Sequence, residues 1–147
     1  MKELFSRLLG RNVTFARSKA TSRASGKQLF ALYTVLPQEH ALVVQADLAL
    51  LGSFAGALLG LQSDVVNERI STTNLEDLLQ DAIQEILNIA SSVVTNQGRA
   101  VFKKMAADPV YLDTLDGDFL QHPDRKTTFD VSIEGYQGGL LSIYAQL

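Results

Sequence analysis

Apolar residues recur at helical spacing through much of the second half of the chain, and this pattern constrains the fold more than any other feature of the sequence. It opens with Thr73-Asn74-Leu75-Glu76, a capping box in which the threonine and glutamate side chains accept hydrogen bonds from free backbone amides. The pattern predicts a helix from about Asn74 to at least Thr95, and it allows the helix to continue past Gly98 to Lys104. The apolar positions are Leu75, Leu78, Leu79, Ala82, Ile83, Ile86, Ala90, Val93 and Val94.

Shorter patterns predict the other elements. Helical spacing indicates an amphipathic helix at Lys2–Leu9, a helix that begins after Asp47 as its N-cap, and a shorter helix within Gln62–Ile70. Runs with strand-like patterns indicate strands at Asn12–Arg17, Leu29–Leu36, Ala41–Val44, Pro109–Leu115, Thr127–Ile133 and Gly139–Gln146. Because strands and helices come in blocks rather than in strict alternation, the expected fold class is α+β, with a mainly antiparallel sheet packed against long helices.

Length and residue types limit the classes of function. The chain has 147 residues, which suits one domain of ordinary size. It contains no cysteine, so disulfides, cysteine-ligated zinc, iron–sulfur clusters and thiol chemistry are excluded. The histidines are His40 and His122, too few for a multi-histidine metal site within one chain. We therefore expect no metal and no cofactor of the chain's own.

Charge is distributed unevenly along the chain. Residues 1–27 contain seven of the 13 basic residues and one of the 16 acidic residues, whereas residues 28–147 are acidic overall. A basic segment can contact nucleic acid or an anionic membrane, but we favour a basic helix, strand and loop that precede an acidic body. The apolar run Leu48–Leu61 is shorter than a membrane span, and its glycines at every fourth position favour a closely packed helix. We expect no nucleic-acid partner, no membrane partner and a cytoplasmic location.

Four polar residues of the predicted long helix are spaced by four, three and four positions: Asp81, Glu85, Asn88 and Ser92. This spacing places two carboxylates, an amide and a hydroxyl in one row along the helix. Such a row is compatible with an ordinary solvated helix face and with a site that acts on a partner. If it is such a site, Glu85 and Asn88 should be exposed while Ile83, Ile86 and Ala90 are buried.

The segment Asp81–Asn88 has the form D-x-x-x-E-x-x-N, and Pro109 follows it at the start of a predicted strand. This arrangement resembles the signature of the CheC/CheX/FliY family of chemotaxis phosphatases. The chain length, the E-x-x-N helix in the second half and the closing strand hairpin are most similar to CheX. The resemblance covers residues 27–147, and the helix is its specific part. It implies that residues 1–147 form a single CheX-like domain with a CheC-like fold.

The resemblance also implies an activity and the residues that carry it. The implied reaction is hydrolysis of the aspartyl phosphate of a CheY-like receiver domain in bacterial chemotaxis or two-component signalling, with Mg²⁺ supplied by the receiver. The catalytic residues would be Asn88, which orients the attacking water, and Glu85, which pairs with a receiver lysine. Asp81 and Ser92 would belong to the docking surface. The alternative is a non-catalytic CheX-like docking module that binds a receiver or another signalling partner.

The sequence departs from the family pattern at a few positions. Ser92 stands where the family has glycine, and Asn88 and Pro109 are closer together than the family spacing. The first half has Leu51 and Phe54 where a second E-x-x-N would need glutamate and asparagine, which fits members with one site per chain. CheX-like proteins pair their C-terminal strands, so the resemblance also implies a homodimer joined edge to edge through Gly139–Gln146.

Overall fold

Three helices of two or more turns and six strands make up most of the described residues. The structure is a computed structural model that describes residues 2–17, 27–37, 39–62, 64–66, 68, 77–93, 98–106, 124–136 and 138–145. The helices are α1 (Lys2–Leu9), α2 (Leu48–Leu59) and α3 (Asp77–Ala90). The strands are β1 (Val13–Arg17), β2 (Gln28–Leu36), β3 (His40–Asp47), β4 (Arg99–Ala106), β5 (Arg125–Ile133) and β6 (Gly139–Ala145). Residues 64–66 and 68 are also helical, within the span predicted as a short helix.

The six strands belong to one sheet, in the order β1-β5-β6-β3-β2-β4. Every neighbouring pair is antiparallel, and β2–β3 and β5–β6 are hairpins. The predicted α+β class with a mainly antiparallel sheet is therefore confirmed, and five of the six strands coincide with predicted ones. The predicted capping box at residues 73–76 and the predicted strand at residues 109–115 lie outside the described residues.

The position of β6 contradicts one predicted contact. This strand lies between β5 and β3, so both of its backbone edges are hydrogen-bonded within the chain. Edge-to-edge pairing of Gly139–Gln146 with a second copy is therefore wrong, because such pairing needs a strand with a free edge. The outer strands of the described sheet are β1 and β4.

Helix α3 is shorter than its apolar repeat predicts. It ends at Ala90, and Arg99–Ala106 forms strand β4, so a helix that reaches Thr95 or continues to Lys104 is wrong. A Cβ at Gly98 would lie 2.2 Å from the backbone oxygen of Leu36, so a side chain here would prevent the close approach of β4 to β2. Residues 99–106 instead pair with β2, which is distant in sequence.

The three helices pack on one face of the sheet. Alternate residues of β2 and β3 on this face join side chains from α1, α2 and α3 in one buried cluster. Phe5 and Leu9 of α1 and Val13 of β1 belong to this cluster, so residues 2–17 of the basic segment are built into the fold. Buried residues on the other face form a smaller, separate cluster of Phe30, Val43 and Tyr144.

Helix α2 packs closely against its surroundings, as the glycine spacing predicts. A Cβ at Gly56 would lie 2.2 Å from Cγ2 of Val66, which is fully buried. Gly60 ends the helix with a φ of 76°, and its amide donates to the carbonyl oxygen of Ala57. The amide of Leu61 donates to the carbonyl oxygen of Gly56, which completes a Schellman motif. Helix α2 in turn packs against α3.

Asp47 occupies the predicted N-cap position of α2, but its carboxylate does not cap the helix. The carboxylate oxygens instead accept hydrogen bonds from the backbone amide of Leu140 at 2.9 Å and from the side-chain amide of Gln28 at 2.5 Å. Asp47 is buried, so these two donors replace the water that a carboxylate would otherwise bind. The residue thereby ties the start of α2 to β2 and β6.

Candidate functional site

The helical part of the predicted polar row lies on the exposed side of α3. Asp81, Glu85 and Asn88 are all exposed. The opposite side of the helix is buried in the core through Ala82, Ile83, Ile86, Leu87 and Ala90. The predicted separation of an exposed Glu85 and Asn88 from a buried apolar side is therefore confirmed.

The exposed side of α3 is acidic and rich in amides. Along the helix axis Glu85 lies about 6 Å beyond Asp81, and Asn88 lies about 4.5 Å beyond Glu85. The exposed amides of Gln80 and Gln84 lie on the same helix, which contains no lysine or arginine. This surface can attract cations, and the Asn88 amide can donate and accept hydrogen bonds. It offers no positive side chain to a phosphoryl group.

The last turn of α3 is closed by short-range hydrogen bonds. The amides of residues 91–93 donate to the carbonyl oxygens of residues 88–90, each three positions earlier, at 3.1, 3.3 and 2.9 Å. Such bonds tighten a helix end and satisfy carbonyls that have no α-helical donor. The remaining terminal carbonyl, that of Leu87, accepts a hydrogen bond from the Tyr33 hydroxyl. All four terminal carbonyls thus have a donor, and the backbone on both sides of Asn88 is held.

Tyr33 reaches this helix end from the middle of β2. Its side chain is fully buried, and its ring lies 5.5 Å from the ring of Phe102, measured between centroids. Burial raises the pKa of the Tyr33 hydroxyl well above its usual range, so the group remains a hydrogen-bond donor at neutral pH. Sequence reasoning missed Tyr33. The available signal was a tyrosine among the apolar residues of a strand, since a buried tyrosine hydroxyl needs a partner.

Ser92 lies in the turn that follows α3 rather than within the helix. It is exposed, and its hydroxyl donates to the carbonyl oxygen of Ile89 at 3.0 Å. The row therefore consists of three helical residues and a serine that folds back onto the helix end. Pro109, the remaining part of the sequence signature, lies outside the described residues.

Metal-ligating side chains do not cluster in the described ranges. No group of three or more histidine, aspartate or glutamate residues there is placed to hold a metal ion. A small cavity lies beneath α3, and its lining is mainly aliphatic and aromatic, with Phe5, Phe54, Ile86 and Leu141 among its residues. None of the helices in the described part of the chain combines the length and the apolar character needed to cross a bilayer.

Comparison with known proteins shows similarity in structure but not in sequence. The sequence matches no family model and no curated protein. The FliM middle domain from Vibrio alginolyticus superposes with a TM-score of 0.61 at 10% identity, over 99% of this chain and 86% of that chain. FliY from Thermotoga maritima superposes with a TM-score of 0.60 at 14% identity, over 98% of this chain and 81% of that chain.

A chain of the FliG–FliM complex from H. pylori is also similar, with a TM-score of 0.58 at 10% identity, over 98% of this chain and 84% of that chain. The protein is thus an α+β protein whose helices cover one face of a mainly antiparallel sheet. More particularly, it has the fold of the FliM middle domain and of FliY. The resemblance to the CheC/CheX/FliY family is therefore confirmed at the level of the fold, and the closer similarity to CheX stays a prediction.

Proposed function

We propose that this protein is a phosphatase that hydrolyses the aspartyl phosphate of a CheY-like receiver domain in bacterial chemotaxis or two-component signalling. The observation that carries the proposal is the pair Glu85 and Asn88, exposed about one turn apart on a helix whose other side is buried in the core. The E-x-x-N pattern and the fold shared with FliY support the same assignment.

The chemistry of an aspartyl phosphate suits a helix with so few functional groups. A water molecule attacks phosphorus, the bond from phosphorus to the aspartate oxygen breaks, and phosphate and the free carboxylate are released. The protons of the water end on phosphate and in solvent. What the reaction needs is a water held in line with the breaking bond and positive charge around the phosphoryl oxygens. The Asn88 amide would hold the water, and the fixed helix would set its direction.

The positive charge would come from the partner. Because α3 has no basic residue, Mg²⁺ and a lysine of the receiver would balance the phosphoryl oxygens, and Glu85 would pair with that lysine. Asp81 and Ser92 would extend the docking surface to either side of this pair. The protein would then need no cofactor of its own and would work in the cytoplasm. A homodimer remains part of the proposal, formed through a surface other than the edges of β6.

Receiver dephosphorylation tests the proposal. Candidate receivers from the source genome are phosphorylated with a small phosphodonor, and decay of the phosphorylated receiver is followed with wild type, Asn88→Ala and Gln80→Ala. Gln80 is the matched control, an exposed amide on the same helix, about 12 Å from Asn88 along the axis. We expect wild type and Gln80→Ala to accelerate decay and Asn88→Ala to lose about a hundredfold of that acceleration. Full acceleration by Asn88→Ala would contradict the proposal.

Glu85→Gln separates docking from chemistry. Glutamine keeps the size and the hydrogen-bonding oxygen but removes the charge that would meet the receiver lysine. An exposed ion pair is worth up to about 1 kcal/mol, so we expect the KM for the phosphorylated receiver to rise about fivefold while kcat changes little. Added salt should shrink the difference from wild type, because it screens exposed charges. A fall in kcat at constant KM would instead place Glu85 in the chemical step.

The second candidate function is a non-catalytic docking module for a receiver or another signalling partner. The solved FliG–FliM complex shows that a protein of this fold occurs in a protein–protein assembly. Ser92, in place of the family glycine, adds a side chain at the end of the proposed docking surface. Receiver binding without faster decay of the phosphorylated receiver would favour this function over the phosphatase.

A further inference from the structure

Two side chains, those of Glu85 and Gln84, neighbour Asn88 on the exposed side of α3. Glu85 lies three positions before Asn88 and Gln84 lies four positions before it, at one of the unspecified positions of D-x-x-x-E-x-x-N. Around the helix axis, Gln84 is rotated from Asn88 by about 40° and Glu85 by about 60° in the opposite direction. All three side chains are exposed. They therefore form a triangle in which the Gln84 amide is the corner that the sequence signature leaves out.

The Asn88 amide lies on the side of its own backbone that faces Gln84. Side chains of an α-helix lean toward its N-terminus, so the Asn88 amide covers the turn that carries Gln84. Residues four positions apart on a helix have Cβ atoms about 5–6 Å from each other. In the other direction along the chain, Ser92 lies in the turn after the helix, and its hydroxyl donates to the carbonyl oxygen of Ile89 at 3.0 Å. The uncharged polar side chain beside the Asn88 amide is therefore that of Gln84.

The two amides are free to share a water molecule. Within the part of the chain that the structure describes, neither Gln84 nor Asn88 makes a side-chain hydrogen bond. Two polar atoms that share one water lie about 4.5–5 Å apart, because each hydrogen bond is about 2.8 Å long and the two meet near the tetrahedral angle. The spacing of the two residues on α3 suits such a bridge. A water on one amide can still turn about its single hydrogen bond, whereas a water on two amides has a fixed direction.

We propose that Gln84 is a further catalytic residue, whose amide holds the attacking water together with Asn88. This inference rests on the proposed phosphatase function and adds a residue to it. Each amide makes one hydrogen bond to the water, so that a lone pair of the water oxygen faces phosphorus in line with the breaking bond. The bonds that form and break are those of the proposed hydrolysis, and Gln84 neither gains nor loses a proton. Glu85 remains the group that meets the receiver lysine.

Gln80 provides a matched control. It is a second glutamine exposed on the same helix, but it lies about 12 Å from Asn88 along the axis and is rotated from it by about 80°. A water held by Asn88 is therefore out of its reach. Gln84→Met and Gln80→Met each keep the length of the side chain and remove its amide. Because both positions are exposed, both variants should keep the wild-type midpoint of urea unfolding.

Kinetics of receiver dephosphorylation test the inference. We expect Gln84→Met to lower kcat about tenfold with KM within about twofold of wild type, because the orientation of the water affects the chemical step rather than docking. Added salt should leave the ratio of the two kcat values unchanged, since glutamine carries no charge to screen. We expect Gln80→Met to change neither constant. An unchanged kcat in Gln84→Met, an equal loss of kcat in Gln80→Met, or a rise in KM alone would overturn the inference.

Asn88→Ala in the same assay separates this inference from the proposed function. Loss of kcat in both Asn88→Ala and Gln84→Met, with wild-type kcat in Gln80→Met, would support the inference. If Asn88→Ala loses the acceleration and Gln84→Met keeps it, the proposed function stands and the inference fails. If wild type leaves the decay of every receiver unchanged, the proposed function fails and the inference fails with it.

Discussion

Replacing Asn88 by alanine should remove most of the proposed phosphatase activity while making the protein slightly more stable. The Asn88 side chain is exposed and, in the part of the chain that the structure describes, it makes no hydrogen bond. Its backbone carbonyl accepts a bond from Ser91, which alanine would preserve. Alanine is the better helix former by up to about 0.7 kcal/mol. Because 1 kcal/mol shifts the Tm of a domain of this length by roughly 2–4 °C, the expected gain in Tm is about 1–2 °C.

The measurement combines urea unfolding, followed by circular dichroism, with receiver dephosphorylation. Asn88→Asp is the companion variant, because it keeps the shape of the side chain but places a negative charge at the negative end of the helix dipole. That charge should lower the free energy of unfolding by about 0.5 kcal/mol. Both variants should lose the proposed phosphatase activity, although Asn88→Ala should gain stability and Asn88→Asp should lose it. The loss of activity could then not be attributed to unfolding.

Two results would refute this reasoning. A loss of about 1 kcal/mol or more in Asn88→Ala would show that the side chain supports the fold, as surface substitutions without such a role stay within about 0.5 kcal/mol. Unchanged activity together with the expected gain in stability would show that the row on α3 is an ordinary solvated helix face. The sequence alone is compatible with that second interpretation.

Two further changes test the scaffold beneath the site. Gly56→Ala should lower the free energy of unfolding by about 1–3 kcal/mol in urea titrations, because its Cβ would lie 2.2 Å from Cγ2 of buried Val66. When Val66 is also replaced by alanine, Gly56→Ala should lower the free energy of unfolding only slightly. Burial raises the pKa of Tyr33, so its contribution to stability should be complete below the ordinary tyrosine pKa of about 10 and should decline as pH rises above it. Between pH 9 and 11 the free energy of unfolding should therefore decline less in Tyr33→Phe than in wild type. An identical dependence on pH in the two proteins would contradict this prediction.

Elements whose periodicity is local could be predicted from the sequence. The β2–β3 and β5–β6 hairpins and the amphipathic character of α3 follow from residues that are close together along the chain. The end of α3 could not be predicted in the same way, because the apolar repeat continues to Val94 while the helix stops at Ala90. Contacts around this end are non-local: Gly98 lies against the backbone of Leu36, and the Tyr33 hydroxyl binds the carbonyl oxygen of Leu87, 54 positions away. The order of strands, which places β6 inside the sheet, depends on pairings of the same non-local kind.

The candidate site could be predicted from the sequence because its residues do not take part in the core. Glu85 and Asn88 are exposed, whereas α3 is held by apolar residues on its other side and by Tyr33 at its end. Exposed residues can therefore change without loss of the fold, which is consistent with a fold shared at 10–14% identity. The phosphatase and the docking module would then differ by very few side chains on one helix. It follows that Asn88→Ala should convert a phosphatase into a docking module. The variant should still bind a phosphorylated receiver in a pull-down or titration, while hydrolysis is lost. A parallel loss of binding would mean that Asn88 serves docking rather than the orientation of water.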